Sequence, residues 1–227
     1  MDDTPDSATG PATPGDPGTP GDPGDEMDRR VAAAAMRLAA DRGWHSTSVL
    51  DVARAAGVPL VVFHRRYPTR AAVLASVSRV ADAAVLSVDT PPDPEEGARD
   101  RLFDVMMRRF DALVPYRDGL RAVLRDLPRE PVTSLCFGRQ YGRSMAWMLR
   151  AAAVEVDRRG GGALVAGLGG VQARVMRVFV HDDSPDLSRT MAALDTELRR
   201  AERWAEALCR WRPRRDAPDR PAAQTVG

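Results

Sequence analysis

AAMRLAADRGWHSTSVLDVARAAGVPLVVFHRRYPTRAAVL, residues 34–74, is the stretch that decides the fold. Val31, Ala34, Ala35, Leu38 and Ala39 recur at helical spacing, so a helix with one apolar stripe runs from about Met27. Gly43 supplies the positive φ that ends it, and Trp44 packs just beyond. Ser48 with Asp51 three positions on resembles a capping box and opens a short helix, about Val49 to Ala56, with Val49, Val52, Ala53 and Ala56 inward. Ala56-Gly57-Val58 is a tight turn, and Pro59 suits the first position of a third helix ending near Arg66. Tyr67-Pro68 closes that helix, because proline biases the residue before it away from the α region. Thr69 then caps a long fourth helix, about Arg70 to Val88, striped by Val73, Leu74, Val77, Val80 and Ala84.

Two short helices joined by Ala-Gly-Val, between two longer ones, make a helix-turn-helix inside a small helical head. The charge agrees. All 33 basic residues are arginine, and the net charge of +1 hides an asymmetry. Residues 1–28 carry eight acids and no arginine, whereas residues 29–80 hold nine arginines against Asp41 and Asp51. Residues 81–227 are nearly balanced, with 24 arginines against 22 acids. A positive field focused on the head attracts a polyanion, and its affinity weakens with salt.

Residues 29–75 resemble the DNA-binding domain of the TetR family of transcriptional regulators. The resemblance is carried by Gly43-Trp44, Thr47-Ser48, Asp51-Val52-Ala53, Ala56-Gly57-Val58, Tyr67-Pro68-Thr69-Arg70 and Leu74. It implies a DNA-contacting set of Thr47, Ser48, Pro59, Leu60, His64, Arg65, Arg66 and Arg70. Thr47 and Ser48 would meet phosphate at the start of the second helix. His64 stands where the family usually has a phosphate-binding tyrosine, and Arg70 stands in for its lysine. Trp44, Val52, Val58 and Phe63 are expected in the core. One departure matters. Leu60-Val61-Val62 occupies the part of the third helix that normally faces DNA, and aliphatic side chains offer base edges no hydrogen bond, only contact with thymine methyls.

Outward from the head, residues 1–26 are rich in Pro, Gly, Asp and Thr and are expected to be a disordered acidic tail. The head is taken as 27–75, a larger helical body as 76–211, and a second disordered tail as 212–227. Residues 89–94 read as a loop, and body helices are expected near 95–113, 117–126, 132–158, 163–181 and 185–211. The fold class is therefore all-α and TetR-like, a three-helix head with a ligand-binding and dimerising body. The resemblance implies an apolar effector pocket and a homodimer. Met106, Phe110, Tyr116, Phe137, Tyr141, Met145, Trp147 and Met148 are the candidate pocket residues, since adaptable methionines with a few aromatics suit an apolar ligand. Small residues along 163–181 and apolar residues along 185–211 suit a two-fold four-helix interface.

The C-terminal segment supports an alternative. Asp182-Asp183-Ser184-Pro185-Asp186 and Leu194-Asp195 are similar to lipid-binding proteins that assist ubiquinone biosynthesis, which share this architecture without binding DNA. Other classes find little support. No apolar run reaches the ~20 residues of a membrane span. The acidic start lacks the pattern of a secretory signal, so a cytoplasmic location is expected. Cys136 and Cys209 form no metal or disulfide motif, and His45, His64 and His181 fall in separate segments. Without a nucleophile elbow, P-loop or dinucleotide fingerprint, no enzyme activity, metal or cofactor is expected. The expected partner is double-stranded DNA, and the expected role is a ligand-responsive repressor.

Overall fold

Asp22 starts the first helix. Its carboxylate accepts from the Gly24 amide (3.0 Å), and Pro23 takes the first helical position of α1 (Pro23–Arg42), with Asp25 and Glu26 in the first turn. These acids complement the positive end of the helix, so α1 begins inside the stretch expected to be tail. The computed structural model describes residues 22–88, 93, 95–156 and 160–210. The expected tails therefore lie outside the described residues up to residue 21 and beyond residue 210, as does most of the 89–94 loop.

Nine α-helices and no strand occur among the described residues. Following α1 come α2 (Val49–Ala55), α3 (Leu60–Arg66), α4 (Arg70–Leu86), α5 (Ala98–Leu113), α6 (Arg117–Asp126), α7 (Pro131–Ala151), α8 (Gly161–Phe179) and α9 (Ser188–Arg210). The all-α expectation holds. Single 3₁₀ turns at Val114–Tyr116 and Leu127–Arg129 carry the chain out of α5 and α6. Among the body helices α6 has the expected bounds and α8 the expected length, two residues earlier, whereas α5, α7 and α9 are shorter than the sequence pattern suggests. α7 stops at Ala151, seven residues early, because Ala153 adopts φ 53 and the Val154 amide turns back to the Leu149 carbonyl (2.9 Å). α9 starts late because Asp182 caps it from a distance. The Asp182 carboxylate accepts from the Thr190 amide (2.7 Å) and hydroxyl (2.6 Å), and from the Ser184 hydroxyl.

A single apolar core runs from Val31 in α1 to Leu198 in α9. α4 is its spine, packing on α1 in the head and on α5 and α7 in the body. α6 also lies on α1, and Gly119 permits it: a Cβ there would come 2.4 Å from the Met36 carbonyl oxygen. No described helix is long and apolar enough to cross a membrane.

Candidate nucleic-acid interface

The helix-turn-helix is assembled by local signals and locked by distant ones. Ser48 caps α2. Its hydroxyl accepts from the Asp51 amide (3.1 Å) while the Asp51 carboxylate accepts from the Ser48 amide (3.1 Å), so both arms of a capping box form. After α2 the chain turns at Gly57, whose φ of 62 favours glycine. Arg30 of α1 then clamps the turn, donating to the carbonyls of Ala56 (2.6 Å) and Gly57 (2.9 Å). Pro59 sits one position before α3, with Leu60 the first helical residue.

At ~100° per residue, a seven-residue helix that buries one side chain has a definite outer face. In α3 the buried residue is Phe63, 1% exposed, which packs on the Tyr67 ring with centroids 4.9 Å apart. Directly opposite Phe63 lie Val61 and Arg65, with Leu60, His64 and Val62 at the margins. Val61, opposite Phe63, is 65% exposed, and Leu60 and Val62 are 56% and 37% exposed. His64 and Arg65 are exposed as well. Among the described residues, the side chains of Arg54, His64 and Arg65 engage no ion pair or hydrogen bond. Pro59 is exposed beside them. On α3 they form an exposed face with an apolar centre and with His64 and Arg65 one turn further along.

The other expected contact residues have partners inside the protein. Thr47 is buried, and its hydroxyl donates to the Gly43 carbonyl (2.9 Å). Arg66 turns toward the Phe63 side of α3 and donates to Asp28 of α1 (2.6 Å). Arg79 of α4 reaches the same carboxylate through two nitrogens (2.8 and 2.6 Å), and the Tyr67 hydroxyl donates to it as well (2.6 Å). Asp28 is 1% exposed, and burial opposes its charge. The hydrogen bonds from Arg79, Arg66 and Tyr67 outweigh that cost and hold its carboxyl below the ordinary aspartate range. Burial, reinforced by the hydrogen bond to Asp28, pushes the Tyr67 phenol up to about 12. Arg70 is engaged too. It donates to the carbonyls of Trp44 (2.6 Å) and His45 (3.2 Å), pairs with Glu130 (2.8 Å) and stacks 4.6 Å from the Trp44 ring. The Asp126 carboxylate accepts from the His45 amide (3.0 Å), which is the main cause of its lowered pKa. The turn after α1 is thereby fastened to the end of α6.

Sequence reasoning missed Asp28, Arg79, Arg30 and Glu130. Charge counting assigns Asp28 to the acidic tail, yet it is the anionic centre of the head. Its partners lie 38 to 51 residues away, so no local spacing announces them.

A family model described as "Bacterial regulatory proteins, tetR family" matches residues 31–77. Residues 31–77 form a TetR-family N-terminal domain. A search of curated proteins gave no match. Among solved structures, a TetR transcriptional regulator from Nitrosomonas europaea ATCC 19718 is 18% identical with a TM-score of 0.59, covering 78% of this chain and 98% of that one. A TetR transcriptional regulator from Rhodococcus sp. RHA1 is also 18% identical, with a TM-score of 0.53 and the same coverage. At that identity the likeness is one of fold, and it extends the TetR architecture from the head over the body.

In the TetR-like body, the expected pocket residues divide. Met106, Phe110, Met145 and Met148 are fully buried, Phe110 packing on Phe179 with centroids 5.2 Å apart. Phe137 and Tyr141 are half-buried neighbours at 5.7 Å, and Tyr116 is half-buried near the end of α5. Trp147 does not join them; it is 52% exposed on α7 beneath the Arg150 guanidinium (5.3 Å). Amid the methionines lies a charge. Arg109, 1% exposed, pairs with Asp82 of α4 and lies 3.9 Å from the Met148 sulfur. Ser144 of α7 donates to the same Asp82 oxygen (2.7 Å). The Arg109 Nε has no hydrogen-bond partner.

Proposed function

We propose that this chain is a TetR-type transcriptional regulator that binds duplex DNA through the outer face of α3, and that it is a ligand-responsive repressor. The observation that carries the reading is the division of the head's cations. Arg66, Arg70, Arg79 and Arg30 hold the head together, while the side chains of Arg65 on the outer face of α3 and Arg54 on α2 have no partner among the described residues. Cations left unpaired beside a helix of this kind suit phosphate contact in and beside a major groove.

Reaching successive grooves requires two heads ~34–36 Å apart, hence a dimer. The proposed interface is the outer face of α8 and α9. On α8, Ala163, Leu164, Ala166 and Gly167 are exposed, and on α9 so are Met191 and Trp204. Exposed apolar side chains beside small residues suit close helix packing in a two-fold bundle.

Ligand response would travel along α4. One turn of that helix separates Arg79, bound to Asp28 and through it to Arg66 of α3, from Asp82, bound to Arg109 of α5 and Ser144 of α7. A ligand that parts the Arg109 surroundings would shift α4 and, through it, the spacing of the two heads.

The lipid-binding alternative is not favoured, because the matching family model and the similar solved structures are of TetR regulators. The test is anisotropy with duplex from the gene's own upstream region against unrelated duplex, at two salt concentrations. Selective binding that weakens with salt is expected. Equal binding to both duplexes, or none, would overturn the proposal.

A further inference from the structure

The centre of the outer α3 face is apolar, and that limits what it can recognise. Val61 lies opposite the buried Phe63 and is the most exposed of the helix's apolar residues, with Leu60 and Val62 on either side. A major groove presents donors and acceptors at every base pair, and one apolar group, the thymine C5 methyl. An aliphatic side chain pressed on the polar edge of guanine, cytosine or adenine strips water from it and returns no hydrogen bond. Against a thymine methyl, the same side chain buries apolar surface on both partners. The occupant of this face is set by the charge around it. His64 and Arg65 follow Leu60 and Val61 by one turn, and the Arg65 guanidinium has no partner of its own among the described residues, so the apolar centre adjoins a hydrogen-bonding imidazole and a free cation that complement phosphate.

Resting on the DNA-binding reading, we infer that Val61, flanked by Leu60 and Val62, determines specificity by reading thymine methyl groups. The operator half-site carries adjacent thymines where α3 enters the groove. Discrimination at those positions is by methyl contact, with Arg65 supplying the neighbouring phosphate or guanine contact.

The test starts with selection of binding sites from a random duplex pool by the full-length chain. Each thymine of the selected half-site is then replaced with deoxyuridine, which removes the methyl and keeps the base pair. Affinity is measured by anisotropy for the wild type and for Val61→Ser, a change at an exposed position that leaves the fold intact. The expected result is about a fourfold loss per contacted methyl in the wild type, with the loss absent in V61S at the thymine that Val61 touches. Selective binding that is indifferent to every uridine substitution would overturn the inference and leave the regulator reading standing. If no sequence is enriched at all, both fail. Binding to phosphatidylglycerol vesicles that is lost in V61S, without duplex selectivity, would make the occupant of this face a lipid surface and overturn the inference.

Discussion

Two buried ion clusters on α4 are satisfied to different degrees. In the head, one carboxylate, Asp28, receives two guanidiniums and a phenol. In the body, one guanidinium, Arg109, has a single carboxylate, a sulfur neighbour and an Nε with no partner. The first arrangement outweighs the desolvation of its charge, whereas the second leaves one buried donor unmatched. The head is thus built as a fixed wedge. The body keeps a buried charge with an unmatched donor, in the region where the family resemblance leads one to expect a ligand.

Removing each cluster should expose the difference. Asp28→Ala leaves Arg66 and Arg79 facing one another without their anion. We expect a loss of about 3 kcal/mol in urea unfolding, at the low end for a broken buried pair because both guanidiniums reach solvent. A loss below about 1 kcal/mol would show that the wedge is held by its apolar core alone. Arg109→Met with Asp82→Leu replaces the body cluster by apolar groups of similar size. The expected change is within about 1 kcal/mol of the wild type. A loss as large as that of Asp28→Ala would erase the contrast.

Acid titration sharpens the comparison. Hydrogen bonds hold Asp28 and Asp182 below the ordinary aspartate value, Asp182 at about 2 despite its burial. A carboxylate with a depressed folded pKa contributes stability above its unfolded pKa, here about 3.8, and that contribution is lost as the pH falls through the folded value. Thermal melts from pH 5 down to pH 2 should fall steeply in the wild type and less steeply in Asp182→Asn. Parallel curves would contradict the α9 cap. The smallest stability effect is expected at Arg65. Arg65→Ala should leave the melting temperature within about 1 °C, because an exposed, unpaired surface group contributes little.

The head was legible because its boundaries are written locally. Gly43, Ser48 with Asp51, Gly57 and Thr69 each act within a few residues, and the helices break where these residues stand. The body was less so. α7 ends on a left-handed alanine and α9 begins after a remote cap, and neither leaves a compositional mark. In the site, sequence pattern picked out the arginines of α3 and the start of α4 but could not divide them. Arg65 and Arg66 are adjacent and chemically identical. Only the helix phase set by Phe63, and Asp28 supplied from α1, leave one free in solvent and bind the other to a carboxylate.

That division is the most direct test of the account. Salt-dependent binding to the upstream duplex should be measured for the wild type, Arg65→Ala and Arg66→Ala at a temperature where all three are folded. The account predicts that Arg65→Ala weakens binding at least tenfold at unchanged stability, flattening the salt slope by about 0.9 if its contact is a phosphate. Arg66→Ala should chiefly lower stability. Wild-type affinity in Arg65→Ala, or a purely electrostatic loss in Arg66→Ala with no change in stability, would contradict it.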